Sequence, residues 1–462
     1  MPRQARNPQT LSLLLQTQGP TASGAVVSAL GVSRATLSRL VAEAGPAVER
    51  IGTARNTRYA LRRAVRHLGD QWNVYRIDET GRARVWGELR ALHGGFRFAP
   101  QEATVPEWMV RDYPDGIFPG LPFFLQDARP QGYVGRALAR NVSTRLGLPA
   151  NPERWSDDEV LSWFIAEGLD LTGDIVVGDR ALEQALRHVE GVRANAIAED
   201  QRENIYPACA TAAQRGELVG SSAGGEQPKF LANVSVREGG LRSVLVKFSS
   251  ADASPVSQRW ADLLCCEHLA AETLCAHSIP CSRTQLLAAG GRRFLEVVRY
   301  DRPNAIGRRG VVTLGAIEDA IVPGTPADWI DAARRFEAAQ VISQEDAKSL
   351  QWRWCFGDLI GNTDMHRANV SFWLDDGLPF SLAPSYDMLP MLFAPGAQGD
   401  LSEREFYSRP PLPPIAGVWA DAAVAAGEFW SRVSTDERIS AGFRVIAARC
   451  MEQLQDLRDR YG

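Results

Sequence analysis

The chain has 462 residues, more than one hydrophobic core ordinarily serves, and its 45% hydrophobic and 23% charged content excludes disordered, collagenous and membrane-embedded classes. The formal net charge of −4 conceals an asymmetry, because residues 1–68 hold ten arginines against Glu43 and Glu49, a surplus of eight that leaves −12 for the remainder. A basic module on an acidic body points to nucleic acid as the partner of one end.

No apolar run reaches membrane-spanning length, and the opening M-P-R-Q-A-R-N-P-Q-T lacks the apolar centre of a secretory signal. A cytoplasmic protein with no membrane partner is expected. The seven cysteines, at 209, 265, 266, 275, 281, 355 and 450, include no C-x-x-C pair. They read as small, reduced, buried residues rather than as a disulfide framework or a zinc site.

Residues 8–18 place leucines at 11, 14 and 15 on one helical face and stop at Gly19-Pro20. A second helix starts at a Thr21 or Ser23 cap, buries Val26, Val27 and Leu30, and turns at Gly31. Ser33 caps a third, with Leu37, Leu40 and Val41 inside and Arg34, Thr36, Ser38 and Arg39 outside. Residues 47–61 read as two strands about a turn at 52–56, carrying Arg55 and Arg58. This order predicts a winged helix-turn-helix over 1–68, with those six polar side chains as its DNA contacts.

Further on, W-N-V-Y-R-I followed by D-E-T-G-R predicts a strand entering a turn, and A-R-V-W-G-E-L a second strand. Residues 104–130, rich in proline, aromatics and glycine, read as irregular surface packing. Residues 156–193 turn helical, with Asp157, Asp158 and Glu159 in a first turn, where negative charge is favoured.

Chemistry begins at V-G-S-S-A-G-G-E-Q-P-K-F (219–230). Gly224 and Gly225 let backbone N–H groups approach phosphate, and Ser221 and Ser222 add hydroxyls. Alone, the stretch is equally a glycine-serine turn, since it matches neither common phosphate-loop pattern. Strands at 230–236 and 241–248, turning at Glu238-Gly239-Gly240, bring Lys247 opposite this loop, where an ammonium would neutralise nucleotide phosphates. The competing reading is an edge-strand lysine that discourages aggregation. A helix over 257–277 offers Asp262, Glu267 and Glu272 as partners for Lys247, and its spacing does not choose among them. A second hairpin, turning at Gly290-Gly291, runs through F-L-E-V-V-R-Y-D-R into a hinge whose backbone would hold adenine.

The strongest signal lies in 351–390. Trp352, Cys355, Phe356, Leu359 and Ile360 follow helical spacing, Gly361 ends that helix, and a polar loop follows. Val370, Phe372 and Leu374 then alternate as a strand, D-D-G turns, and a second strand returns to Pro384, bringing Asp387 beside Asp364 and Asn369. One carboxylate to orient a hydroxyl and two oxygen ligands for magnesium are what phosphoryl transfer needs. Asp364 fits the first role, and Asn369 and Asp387 the second. His366 reads as a hydrogen-bonding anchor at the nucleotide rather than as a metal ligand.

The segments S-S-A-G-G-E-Q-P-K-F, V-L-V-K-F, V-V-R-Y-D-R, G-N-T-D-M-H-R-A-N-V-S-F and P-S-Y-D-M-L-P, in this order, resemble the HipA family of serine/threonine kinase toxins. The likeness is nearest to its YjjJ-like branch, in which a helix-turn-helix precedes the kinase. It spans 219–390 and extends through F-F-L-Q-D-A-R-P-Q-G-Y-V-G-R to the family's N-terminal subdomain. The resemblance implies Asp364 as catalytic base, Asn369 and Asp387 as magnesium ligands, and Lys247 on nucleotide phosphate. It places the Val298 and Tyr300 backbone and Asp301 at adenine and ribose. Ser221, with Ser222 second, would be the autophosphorylated loop serine whose modification expels the loop and silences the kinase.

The expected fold is therefore α+β, a winged helix-turn-helix followed by a two-lobed, protein-kinase-like HipA body with a mostly helical C-lobe. Its divisions would be 1–68, a HipA N-terminal subdomain at 69–150, a kinase N-lobe at 151–302 and a C-lobe at 303–462. The expected function is an ATP- and magnesium-dependent serine/threonine protein kinase of the toxin type. An aminoacyl-tRNA synthetase is the family's type of target, and an antitoxin and DNA are further partners. The alternatives are a nucleotide-sensing transcriptional regulator with a weak or inactive kinase body, and a small-molecule kinase.

Overall fold

The computed structural model describes residues 7–101, 105–216, 227–236, 240–324, 326–396, 399–401 and 404–461. Among them no single helix is long and apolar enough to cross a membrane.

The first unit comprises α1 (Pro8–Gln18), β1 (Thr21–Ala22), α2 (Ser23–Leu30), α3 (Arg34–Ala44), β2 (Val48–Ile51) and β3 (Arg58–Leu61). Asn7 caps α1 through the Thr10 N–H, and Ser33 caps α3 through the Thr36 N–H. Gly31 takes a left-handed conformation between α2 and α3. Leu11, Leu15, Val26, Leu37 and Leu40 close a small core of their own. Neither residue expected to cap α2 does so. Thr21 is drawn into a strand pair with Tyr59, its hydroxyl donates to Gly19 O, and Ser23 is already helical.

The second unit is built on a five-stranded sheet in the order β7-β6-β5-β4-β8, from β4 (Gln71–Ile77), β5 (Ala83–Leu92), β6 (Gly95–Pro100), β7 (Ile117–Phe118) and β8 (Ile175–Val177). It carries α4 (Glu107–Asp112), α5 (Phe123–Gln126), α6 (Gly132–Leu146), α7 (Asp157–Glu167) and α8 (Asp179–Ala194). A Ser156–Glu159 capping box opens α7. The aromatics of the stretch expected to be surface packing form core: Trp108, Phe123 and Phe124 are buried against Trp86 and Phe98, with ring centroids 4.9 Å apart for Trp86–Phe124 and 5.0 Å for Trp108–Phe123. The aromatics outweigh the prolines, because burying such rings yields more than irregular backbone costs. Hydrogen bonding also crosses the expected division at 150, since β8 pairs with β4.

After β9 (Ile197–Ala198) and α9 (Arg202–Gln214) comes a second sheet, ordered β12-β13-β11-β10-β9. It contains β10 (Lys229–Ser235), β11 (Leu241–Phe248), β12 (Thr284–Ala289) and β13 (Arg292–Val298), with α10 (Pro255–Ala276) between β11 and β12. Period-2 alternation divides the sheet's faces. Phe230, Val234, Val244, Val246 and Phe294 pack against Tyr206 and Ala210 of α9. Leu245 and Val297, of opposite parity, pack with Leu264 of α10.

The remainder is mostly helical: β14 (Val311–Thr313), α11 (Leu314–Ala320), α12 (Trp329–Ala338), α13 (Gln344–Leu359), β15 (Ser371–Trp373), α14 (Ala416–Thr435) and α15 (Ala441–Tyr461). The strand expected to return toward Pro384 shortens to a single bridge, Phe372 to Leu382, with the Trp373 N–H donating to Ser381 O and the Ala383 N–H to Ser371 O, while β15 pairs along its other edge with β14. One expectation about cysteine fails. Cys275 at the end of α10 and Cys281 before β12 form a disulfide, brought together as the chain reverses at 277–280. The other five are free, four of them buried.

Candidate active site

The register of the β10–β11 pair sets Lys229 directly opposite Lys247. Opposed residues share a sheet face, so two lysines, each only 3% exposed, sit side by side on one wall. Lys247 Nζ donates to both Glu267 carboxylate oxygens, at 2.6 and 2.8 Å, and to Asp387 Oδ1. Glu267 is thus the acidic partner that spacing left open. Asp262 instead accepts from the Ser440 N–H and hydroxyl, and Glu272 pairs with Arg432.

Burial by itself would lower the Lys247 ammonium, but the charges of Asp387 and Glu267 outweigh it and raise it. Burial opposes ionisation of Asp387, yet Lys247 and Lys229 hold that carboxyl below its usual range. Glu267 is pushed up by its burial. The wall therefore carries two cations, of which Lys247 is held by two acids that a phosphate could displace.

The loop that carries Asp364 hangs from the end of α13, where Gly361 has φ 74°. Asn362, 4% exposed, accepts the Asp364 N–H at 3.0 Å and donates to Asp387 O at 3.3 Å. A buried amide thereby joins the Asp364 loop to the Asp387 segment. Asn369 closes the loop, its side-chain N–H donating to Asp364 O at 2.8 Å. Asp387 has φ 55°, in the left-handed region that aspartate enters more readily than most non-glycine residues. The preceding Tyr386 donates to Ala368 O at 2.7 Å and stacks on Tyr300 with centroids 5.8 Å apart.

Asp364 is exposed, with its carboxyl raised by partial burial and by Asp387, against the opposing pull of His366, Lys247 and Lys229. His366 Nδ1 accepts the Ala368 N–H at 3.2 Å and its Nε2 lies 3.9 Å from Asp364 Oδ1, so it anchors the loop.

A cleft lined by Leu231, Leu245, Lys247, Val298, Tyr300 and Asp387 connects these groups to the hinge. Asp301 lines it too, but its carboxylate is already engaged by Arg299, Arg302 and the Gly173 N–H. The Val298 N–H is engaged by Arg283 O at 2.8 Å. Ser221, Ser222, Gly224 and Gly225 lie outside the described residues.

Among the described residues no three His, Cys, Asp or Glu side chains cluster as a metal site. Asp387 and the side-chain oxygen of Asn369 are hard donors of the kind magnesium takes, and magnesium commonly rests on one or two protein oxygens plus phosphate.

Sequence reasoning missed two members. Lys229 could have been found by counting back from the turn at 236–240, which sets it against Lys247. Asn362 looked like one polar loop residue among several, and only its burial distinguishes it.

In the first unit, Arg34, Ser38, Arg39 and Arg55 are exposed and Thr36 is half-buried. Arg39 pairs with Glu43 at 3.1 Å. Arg58 faces the body instead, pairing with Asp115 at 3.0 Å. Arg62 with Asp70, Arg63 with Asp158, and Arg66 with the Leu146 and Gly147 carbonyls are engaged similarly.

A family model described as the HipA-like C-terminal domain matches residues 221–454, and one described as the middle domain of YjjJ-like toxin matches 68–186. The chain is 35% identical over 447 residues to Toxin YjjJ of Escherichia coli (strain K12), covering 96% of this chain and 97% of that protein. The HipA of Shewanella oneidensis MR-1, solved with HipB and operator DNA, superposes with a TM-score of 0.53 at 15% identity, over 84% of this chain and 97% of that one. The mixed α/β body is therefore of the HipA type. The chain belongs to the HipA family, among its YjjJ-like toxins.

Proposed function

We propose that this toxin is a protein kinase that transfers phosphate from ATP to a serine or threonine hydroxyl. The observation that carries the reading is the convergence of Lys247, Glu267 and Asp387 with the Asp364–Asn369 loop, joined through Asn362. Lys229 and Lys247 receive the nucleotide phosphates, relieving the charge that Asp387 and Glu267 otherwise balance. Asp387 and Asn369 would hold magnesium, which when bound would neutralise charge at the transferring phosphate. Asp364, open to solvent, accepts the proton of the attacking hydroxyl. Autophosphorylation at Ser221 or Ser222 remains part of the proposal, on the resemblance alone.

The first unit is read as a winged helix-turn-helix that presents α3 to DNA. Its support is the exposed Arg34, Ser38 and Arg39 on one helix, with Arg55 on the adjoining turn. That the Shewanella relative was solved with HipB and operator DNA favours an antitoxin and DNA as partners here too.

A phosphoproteome after expression of wild type and of Asp387→Ala tests the activity and its target together. Phosphosites present only with wild type are expected; identical phosphoproteomes, with both chains folded, would refute the kinase reading.

A further inference from the structure

The cysteine pair lies where one bond can influence the cleft. Cys275 is exposed in the last turn of α10, and Cys281 is half-buried in the segment entering β12. That segment is held against the active-site chain. Pro280 O accepts the Ser385 N–H at 2.8 Å, and Ser385 O accepts the Ser282 N–H at 2.9 Å. Residues 280–282 thus bracket Ser385, two positions before Asp387. The helix that ends at the disulfide also carries Glu267, about two turns earlier. One acid that holds Lys247 is therefore on the helix the disulfide ends, and the other is two residues from a position hydrogen-bonded to the segment the disulfide ties to that helix.

The pair also borders a cavity of about 610 Å³, lined in part by Arg242, Arg283, Arg432, Glu272 and Glu296. Arg242 is engaged by Glu199 and Arg432 by Glu272. Arg283 is exposed and forms no ion pair among the described residues, leaving a guanidinium to meet an incoming carboxylate.

We propose that Cys275–Cys281 is a thiol-exchange site that sets how firmly the Asp387 segment is held, and that its reductant is a small carboxylate-bearing thiol received in this cavity. The thiolate of one such molecule attacks the exposed Cys275 Sγ, the protein S–S bond breaks, and Cys281 leaves as a thiolate that takes up a proton. Its sulfur lies 3.1 Å from Ala271 O, an acceptor for the new S–H. A second thiol attacks the outer sulfur of the mixed disulfide and releases Cys275 as a thiol. Two small thiols are oxidised to their disulfide, and one protein disulfide is reduced. Loss of the cross-link loosens 277–282 and, with it, the bracket on Ser385. The effect on phosphate transfer rests on the kinase reading; the effect on the bracket does not.

The test uses the full chain equilibrated in reduced or oxidised glutathione, with thiols at 275 and 281 counted by alkylation and mass spectrometry. Amide hydrogen exchange of the peptide containing Ser385 to Asp387 is the deciding readout. Reduction is expected to speed its exchange by about tenfold, reversibly, and Cys275→Ser/Cys281→Ser is expected to exchange at the fast rate in both buffers. Cys275→Ser alone serves as a second variant, with the same expectation. Exchange that ignores the redox buffer while the thiols titrate, or thiols that never form at any glutathione ratio, would overturn the proposal. Phosphate transfer measured in parallel should fall with reduction. Its absence in every state would count against the kinase reading, leaving the exchange result to decide the switch.

Discussion

At the residue scale the site is a contest between burial and charge. Asp364 illustrates it: partial burial and Asp387 raise its carboxyl, His366, Lys247 and Lys229 restrain the rise, and the direction that wins is upward. A base must be ionised to accept a proton, so phosphate transfer should fail as pH drops through this raised value. The acidic limb of the kcat profile is therefore expected above the ordinary aspartate value of about 3.9. A limb at or below that value would show that Asp364 is not the group being titrated. Sequence made Asp364, Asn369, Asp387 and Lys247 visible because their chemistry is unusual in company. Lys229 and Asn362 stayed hidden, since one depends on strand register and the other on burial, neither of which is a local property.

At the element scale, α11 links the second unit to the Asp364 loop. Asp127 accepts the Thr313 N–H at 2.5 Å and its hydroxyl at 2.6 Å, and Thr313 caps α11. From that helix Glu318 and Asp319 hold Arg367, inside the Asp364 loop. Burial pushes the Asp127 carboxyl up to about 6, against the lowering effect of both Thr313 bonds. A folded-state value above the unfolded one means the folded chain binds the proton more tightly. Stability from this group is then fullest below about pH 4 and is lost as pH rises through about 6. Asp127→Asn keeps an acceptor for the N–H and should flatten that slope, whereas Asp127→Ala should cost about 1–3 kcal/mol. Denaturant midpoints across pH 4–8 check both. Strands with clean alternation were legible from sequence. The aromatic stretch at 104–130 was not, because its prolines signal loop while its rings form core, and only tertiary packing decides between them.

At the scale of the whole molecule, the arginine surplus of residues 1–68 changes meaning. Arg58, Arg62, Arg63 and Arg66 bind the body, and buried Glu49 accepts from Arg90 and Arg97 of the second unit. Sequence counts charges without saying which neighbour each one meets. Glu49→Ala leaves two arginines without their shared partner and should weaken this docking by about 3 kcal/mol, read as faster proteolysis between residues 62 and 70 at unchanged folding of the body. Cleavage indistinguishable from wild type would mean the docking rests elsewhere. With Arg34, Arg39, Arg50 and Arg55 left exposed, DNA affinity should fall with salt at a log–log slope of about −3 to −4. A slope of about −7 would require the four docked arginines to be released as well.

The kinase reading proposed above puts phosphoryl transfer where the cleft lined by Lys247, Glu267 and Asp387 meets the Asp364–Asn369 loop. Transfer of γ-labelled phosphate from ATP with magnesium, by the full chain and by Asp364→Asn, tests it most directly. Labelling of protein by wild type and a loss of roughly 10²–10⁴-fold in the variant are expected. Equal labelling by the two chains would contradict it.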